Sequence, residues 1–380
     1  MSFKDTRLGK LPSSWKIDKM ENCLDELIDY RGKTPKKSDN GIVTLSAKSV
    51  RNGFIDYSSA YYISEETYNE FMTRGFPQKG DILLTSEAPL GLVAKLDRDR
   101  VAVAQRVFTL RGKRNYLLND YLKYYLMSSI GQHQLKLRET GTTVTGIKQS
   151  ELRKVLVALP LLKEQKAIAK IFSSIDERIE TNNQINKKLE EMAQAIFKHW
   201  FVDFEFPNGN GEPYKSSGGE MIESELGMIP EGWEVCKTGE IVNIVRGASP
   251  RPIKDYIVES GIPWIKISDA TASKNKYLCN TKEYIKEEGR SSSRYIKAGT
   301  LILSNSATPG LPMISLIDAC VHDGWLIFSN YNEINKEYLY YHLLLEREYL
   351  LSLSNGSVFR NLKTDILKNN KIIIPTQKIL

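Results

Sequence analysis

Cysteine and histidine are scarce in this chain, and long apolar runs are missing. Four cysteines (Cys23, Cys236, Cys279 and Cys320) occur in 380 residues, far apart and with no CxxC pair. Neither a disulfide framework nor a zinc site is signalled, and buried free thiols are expected. The four histidines, His133, His199, His322 and His342, show no HExxH spacing. No GxxxxGK[ST] phosphate loop is present, which argues against a built-in ATPase, and no FxGxG or NPP[FY] run suggests a self-contained amino-methyltransferase. No stretch approaches the roughly 20 uninterrupted apolar residues of a membrane helix, and Met1–Trp15 is polar with no signal-peptide hydrophobic region. A cytoplasmic protein with no membrane partner is expected. One catalytic pattern survives, the ExK form Glu164-Gln-Lys166, seen where a carboxylate ligates Mg²⁺ and a lysine assists the attacking water. It begins a helical run and has no acidic companion one strand earlier, so it reads as a helix start rather than a metal-dependent nuclease.

What the chain does have is size, basic balance and internal repetition. At 41% hydrophobic and 26% charged residues it can bury more than one core. Lys+Arg 53 against Asp+Glu 46 leaves a net charge of +7, compatible with a phosphate-backbone partner. LGKLPSSW (Leu8–Trp15) returns as LGMIPEGW (Leu226–Trp233), Arg31-Gly32-x-x-Pro35 as Arg246-Gly247-x-x-Pro250, and GDILLTS (Gly80–Ser86) as GTLILSN (Gly299–Asn305). NDYLKYYL (Asn119–Leu126) matches KEYLYYHL (Lys336–Leu343), and IKQSELRKVLVALP, ending at Pro160, matches LKTDILKNNKIIIP, ending at Pro375. Collinear landmarks at an offset of roughly 220 residues mark a duplicated unit. Each copy mixes β-branched runs with helical spacing, which predicts two similar loop-rich α/β modules whose long connections carry the binding residues.

Between the copies, Lys163–Phe201 contains no proline or glycine and is dense in Glu, Lys, Gln, Ala and Ile. It predicts one long coiled-coil-type helix with an apolar seam at Ile168, Ile171, Ile175, Ile185, Leu189, Met192 and Ile196, and Asn182 at a seam position. Asn182 reads either as a tolerated polar seam residue or as a device that fixes register. The expected domains are a first module over 1–161, a spacer helix over 162–202, a linker over 203–225 and a second module over 226–375. The aromatic run Phe197–Phe206 is expected to pack against the second module rather than to stack on bases.

Together, the duplicated LGxxPxxW entry, the RGxxP turn, the GDILLTS strand, PLLKEQKAIAKIF and FKHWFVDFEFPN resemble the specificity subunit of a Type I restriction-modification system. The resemblance covers nearly the whole chain. It implies two target recognition domains, each reading one half of a split, asymmetric double-stranded DNA sequence, with long helices setting the gap. It implies a non-catalytic chain with no cofactor of its own, while S-adenosylmethionine, Mg²⁺ and ATP belong to partner modification (methyltransferase) and restriction subunits. It also implies a second spacer helix after the second domain, of which residues 376–380 would be only the start. Without it the seam lacks an intramolecular partner, and a homodimer through the spacer helix is expected. The competing reading of the whole chain is a coiled-coil scaffold that joins proteins and no nucleic acid.

Residues for DNA are sought among polar loop side chains beside the matched landmarks: lysines and arginines for phosphates, and Arg, Lys, Asn, Gln, Ser and Thr for base edges. In the first module these are Arg31, Lys33, Lys36, Lys37, Lys48, Ser86, Gln105, Arg106, Thr142, Thr143 and Lys148. In the second they are Arg246, Arg251, Lys254, Lys266, Asn305, Ser306, His322, Asp323, Arg360 and Lys363. Arg106 and Arg360 stand out, because each lies beside an apolar strand or loop rather than in a run of charge. For Ser86 and Asn305 a turn-capping role is an equal reading.

Overall fold

The computed structural model describes residues 2–30, 32, 34–141, 145–273, 275–353 and 361–380. The chain divides into two compact units, Met1–Ile185 and Asn186–Leu380. In the first, the apolar run Ile82–Thr85 is buried at all four positions because it lies inside an antiparallel sheet with neighbours on both sides and packing on both faces. The sheet order is Leu24–Asp29, Val107–Gly112, Ile82–Thr85, Val93–Lys95. Strand alternation sends Ile82 and Leu84 into a core with Tyr121, Leu122 and Leu126, and Leu83 into a second core with Leu45, Val50 and Val103. A smaller sheet joins Ile42–Leu45 antiparallel to Tyr61–Ile63 and parallel to Ala102–Val103. Lys16–Lys19 pairs with Leu156–Leu159, so the ends of the unit close on each other.

The second unit repeats this plan. Asn243–Arg246, Trp325–Ser329, Leu301–Ser304 and Pro312–Ser315 take the same order, extended by Tyr277–Leu278. Glu234–Lys237 pairs with Lys371–Ile374 as the closing strands, and a five-stranded sheet takes the place of the smaller one. The repetition reaches single hydrogen bonds. The hairpins Phe3–Thr6/Gly9–Pro12 and Met221–Ser224/Gly227–Pro230 share one register, and each turn needs a glycine in the left-handed region, Gly9 (φ 89°) and Gly227 (φ 94°). The Tyr121 hydroxyl donates to the Ala158 carbonyl at 2.7 Å, and the Tyr338 hydroxyl to the Ile373 carbonyl at 2.6 Å.

The expected mixed α/β class, with two similar units and a long helix, is what the structure has. The helix runs Leu162–Phe201. Glu164 accepts from the Leu161 N–H at 3.0 Å, a helix-start contact. Buried Gln165 ties the helix to the first unit through the Leu118 N–H and the Tyr116 and Pro160 carbonyls. Further along, Asp176 meets Lys123 (2.6 Å) and the Tyr124 hydroxyl (2.7 Å). In the second unit Glu190 meets Lys276 (3.2 Å), whose ammonium also reaches the Tyr341 hydroxyl.

Two readings change. Residues 203–225 are not a loose linker: Phe204 and Phe206 are buried with Trp233 and Tyr214, and the second hairpin already begins at Met221. Pro207–Glu220 is rich in glycine, serine, asparagine and proline, but a few aromatic side chains decide the packing. The RGxxP match is also out of register. Phe108 faces Asp29 in the first sheet where Leu326 faces Arg246 in the second, so Asp29, rather than Arg31, takes the place of Arg246.

Candidate nucleic-acid interface

The same three segments meet in each unit, and in the first they line a cleft: the turn after the central strand, the residues leading into its neighbour, and the segment before the closing helix. In the first unit the Ser86 N–H donates to the Arg106 carbonyl and the Ile147 N–H to the Ser86 carbonyl, at 3.0 and 2.9 Å. In the second the Asn305 N–H donates to the Gly324 carbonyl and the Leu362 N–H to the Asn305 carbonyl, both at 2.8 Å. The turns themselves are fixed by hydroxyls. Thr85 Oγ1 donates to the Pro89 carbonyl and accepts from the Leu92 N–H, while Ser304 Oγ donates to the Thr308 carbonyl and accepts from the Leu311 N–H. Equivalent positions follow: Ser86 with Asn305, Gln105 with Asp323, Arg106 with Gly324, Lys148 with Lys363 and Asp29 with Arg246.

The first cleft has a volume of about 490 Å³ and gathers Ser86, Gln105, Arg106 and Lys148 from the expected set. It adds Asp29 and Glu87, which the sequence reading missed. Glu87 Oε1 lies 2.7 Å from Arg106 Nε, and Arg106 is half exposed with its backbone in the left-handed region (φ 70°). Gly146 leaves room for this turn, since a Cβ there would sit 2.7 Å from Glu87 Cβ and from the Ser86 carbonyl oxygen.

At the equivalent place in the second unit Arg246 Nε donates to the Asp323 carbonyl at 2.7 Å, and Asp323 Oδ2 lies 3.6 Å from Arg251 Nη2. Ser249 Oγ donates to Asp323 Oδ1 at 2.8 Å. Burial pushes the Asp323 carboxyl up, but the Ser249 hydroxyl and the nearby cations outweigh it and hold the group below the usual range. His322 Nδ1 accepts from the Gly324 N–H at 2.9 Å, and its Nε2 faces Asp323 Oδ1 at 3.1 Å. Burial lowers its pKa; Asp323 pulls it up and Lys266, Arg251 and Arg246 push it down, so the neutral ring is favoured. Asn305 is buried, and its Oδ1 has no hydrogen-bond partner among the described residues.

The other expected residues are more widely spread, though Lys266 and Ser306 stay near His322 and Gly324. Lys36 and Lys48 are exposed on the surface, and Lys37 sits over the Tyr61 ring at 5.0 Å. Lys254 is exposed in the short helix Ile253–Asp255. Lys266 pairs with Glu283 and lies over Trp264, whose ring meets His322 edge-on. Ser306 lies 2.9 Å from where a Cβ on Gly324 would stand. Arg31, Lys33, Thr142, Thr143 and Arg360 lie outside the described residues.

The seam residues divide. Ile168 packs on the first unit's core, because the helix is docked there by its opening turns, and it is therefore no part of an open stripe. Ile171, Ile175, Ile185, Leu189, Met192 and Ile196 are each 47–60% exposed, as are Phe172 and Ile179, which the heptad reading omitted. Asn182 is exposed between Ile179 and Ile185. No group of three or more metal-ligating side chains occurs among the described residues, and no helix there is long and apolar enough to cross a membrane.

The family model for the Type I restriction modification DNA specificity domain matches residues 16–191 and 230–379. The chain is 28% identical to the type I restriction enzyme MjaIX specificity subunit of Methanocaldococcus jannaschii, over all of this chain and 87% of that protein. It is 25% identical to the HindI specificity subunit of Haemophilus influenzae, over 80% and 78% of the two chains. Among solved structures, the S subunit of a type I restriction-modification system from M. genitalium shares the fold, with a TM-score of 0.52 at 18% identity over 97% of this chain and 87% of that one.

Proposed function

The chain belongs to the Type I restriction modification DNA specificity domain family, and from that premise we propose that it is the DNA-reading subunit of a restriction-modification complex, each unit taking one half of a split, asymmetric target. The observation that carries this reading is the duplicated backbone frame, which lines a cleft in the first unit. One backbone frame is built twice from the same turns and hydrogen bonds, yet lined with different polar side chains, as two readers of two different half-sites require. Exposed lysines around the clefts supply sequence-independent affinity for phosphates, and cleft side chains supply selection.

The chain carries no chemistry of its own. Methyl transfer from S-adenosylmethionine belongs to modification subunits, and ATP- and Mg²⁺-dependent cleavage to a restriction subunit. The exposed stripe on the long helix serves helix pairing with a second copy of the chain.

Methylation mapping in cells that hold the modification subunit, with and without this chain, tests the reading. A split asymmetric motif that appears only with the chain is the expected outcome. A folded, chain-bound modification subunit that modifies no new motif would overturn it.

A further inference from the structure

The two sites share a frame but exchange their charges. At the end of the edge strand stands an acid in the first unit, Asp29, and an arginine in the second, Arg246. Leading into the neighbouring strand stand Gln105 and Arg106 in the first unit, and Asp323 and Gly324 in the second. Each arginine has a partner at the same atom. Arg106 Nε is ion-paired with Glu87 Oε1 at 2.7 Å, and Arg246 Nε donates a hydrogen bond to the Asp323 carbonyl, with Arg246 Nη2 4.0 Å from the carboxylate. A guanidinium fixed at Nε keeps its terminal nitrogens, Nη1 and Nη2, as an oriented donor pair, and both arginines are half exposed.

The geometry points to Arg106 and Arg246 as the base readers of the two half-sites, each presenting its terminal nitrogens end-on to an acceptor pair on a base edge, the O6 and N7 of guanine. This inference rests on the proposed function and names the residues that carry it out. The pairing of Arg106 with Glu87 separates base from phosphate: the carboxylate at Nε offsets part of the attraction for an anionic phosphate and leaves the terminal nitrogens for a neutral base edge. Because the arginine enters from a different strand in each unit, the two units address different positions of their half-sites. Asn305, buried, stands where the first unit has Ser86, so the turn residue differs between the two units.

The test uses the full chain assembled with its modification subunit, comparing wild type with Arg106→Lys and Arg246→Lys. Lysine keeps the charge for phosphate but loses the planar two-donor edge. Arg106→Lys is expected to reduce the preference for one base pair in one half of the methylated motif by about 10-fold or more, with the other half intact. Arg246→Lys should do the same in the opposite half, and binding to unrelated duplex DNA should stay within about twofold for both. Equal loss on every sequence, relaxation in neither half, or both variants acting on one half would overturn the assignment. If Arg106→Lys does not fold, Glu87→Gln, which removes the charged tether, must broaden the same base position. A wild-type complex that yields no split motif would instead defeat the proposed function itself, an outcome distinct from a failure confined to the variants.

Discussion

His322 shows how one residue in a cleft is set by its neighbours. Its Nδ1 already accepts a backbone N–H from Gly324, so a second proton has nowhere to go without breaking that bond. Burial, followed by the surrounding cations against Asp323, keeps its pKa below the ordinary 6.5. Between that lowered value and 6.5 the unfolded chain binds a proton that the folded ring resists. The contribution to stability is therefore full above pH 6.5 and is lost as pH falls towards the folded value. Proton NMR of the ring should give a midpoint below 6.5, and Asp323→Asn, which removes the one upward pull, should move it lower still; a midpoint at or above 6.5 would contradict the geometry. A second residue-scale expectation concerns the duplicated tyrosines. Tyr121→Phe and Tyr338→Phe each remove a buried hydroxyl from a closing-strand carbonyl and should cost about 1 kcal/mol apiece in denaturant unfolding. Single residues were legible where strand landmarks fixed their register: Ser86, Gln105 and Arg106 abut GDILLT and VAVAQRVFTL and meet in one cleft. Lys36, Lys48 and Lys254 were chosen by charge, and charge alone does not place a side chain. Asp29 was missed because RGxxP aligns by letters two residues away from where the strands pair.

At the scale of elements, the long helix was the most legible part of the chain, since 40 residues without proline or glycine leave little alternative. Its docking was less legible. Asp176 and Glu190 look like ordinary surface acids in sequence, and only the fold brings Lys123 with Tyr124, and Lys276 with Tyr341, against them. The first of these contacts is asymmetric: Lys123 is buried while Asp176 is more than a third exposed. Removing the acid strands a buried ammonium, whereas removing the lysine frees an acid that water can solvate. Asp176→Ala should therefore destabilise more than Lys123→Met, by about 1–3 kcal/mol, in thermal or denaturant unfolding; the reverse order would mean that the ammonium finds another partner. The exposed stripe on either side of this contact gives the pairing proposal its own test. With Ile175→Glu and Leu189→Glu combined, ultracentrifugation at micromolar concentration should find a monomer where the parent chain is a dimer, and a parent chain that is already a monomer would end the proposal.

For the whole molecule, duplication with divergence has an energetic consequence. Among the described residues, the contacts at Arg106 lie within the first unit and those at Arg246 within the second. Sites built from separate sets of side chains are expected to respond independently. Binding energies lost on a cognate duplex by Arg106→Lys and by Arg246→Lys should then add in the double variant to within about 0.5 kcal/mol, as they do for independent sites. Salt titration separates this from a uniform electrostatic effect. The charge-preserving arginine variants should leave the slope of log K against log salt unchanged, whereas Lys148→Ala and Lys363→Ala, which remove exposed cations at the cleft edges, should each flatten it by about one unit if they contact phosphate. Strong non-additivity in the arginine pair, on a cognate duplex and at fixed salt, would mean that DNA engagement by one unit conditions the other, and that the two sites form a coupled reader rather than two independent ones.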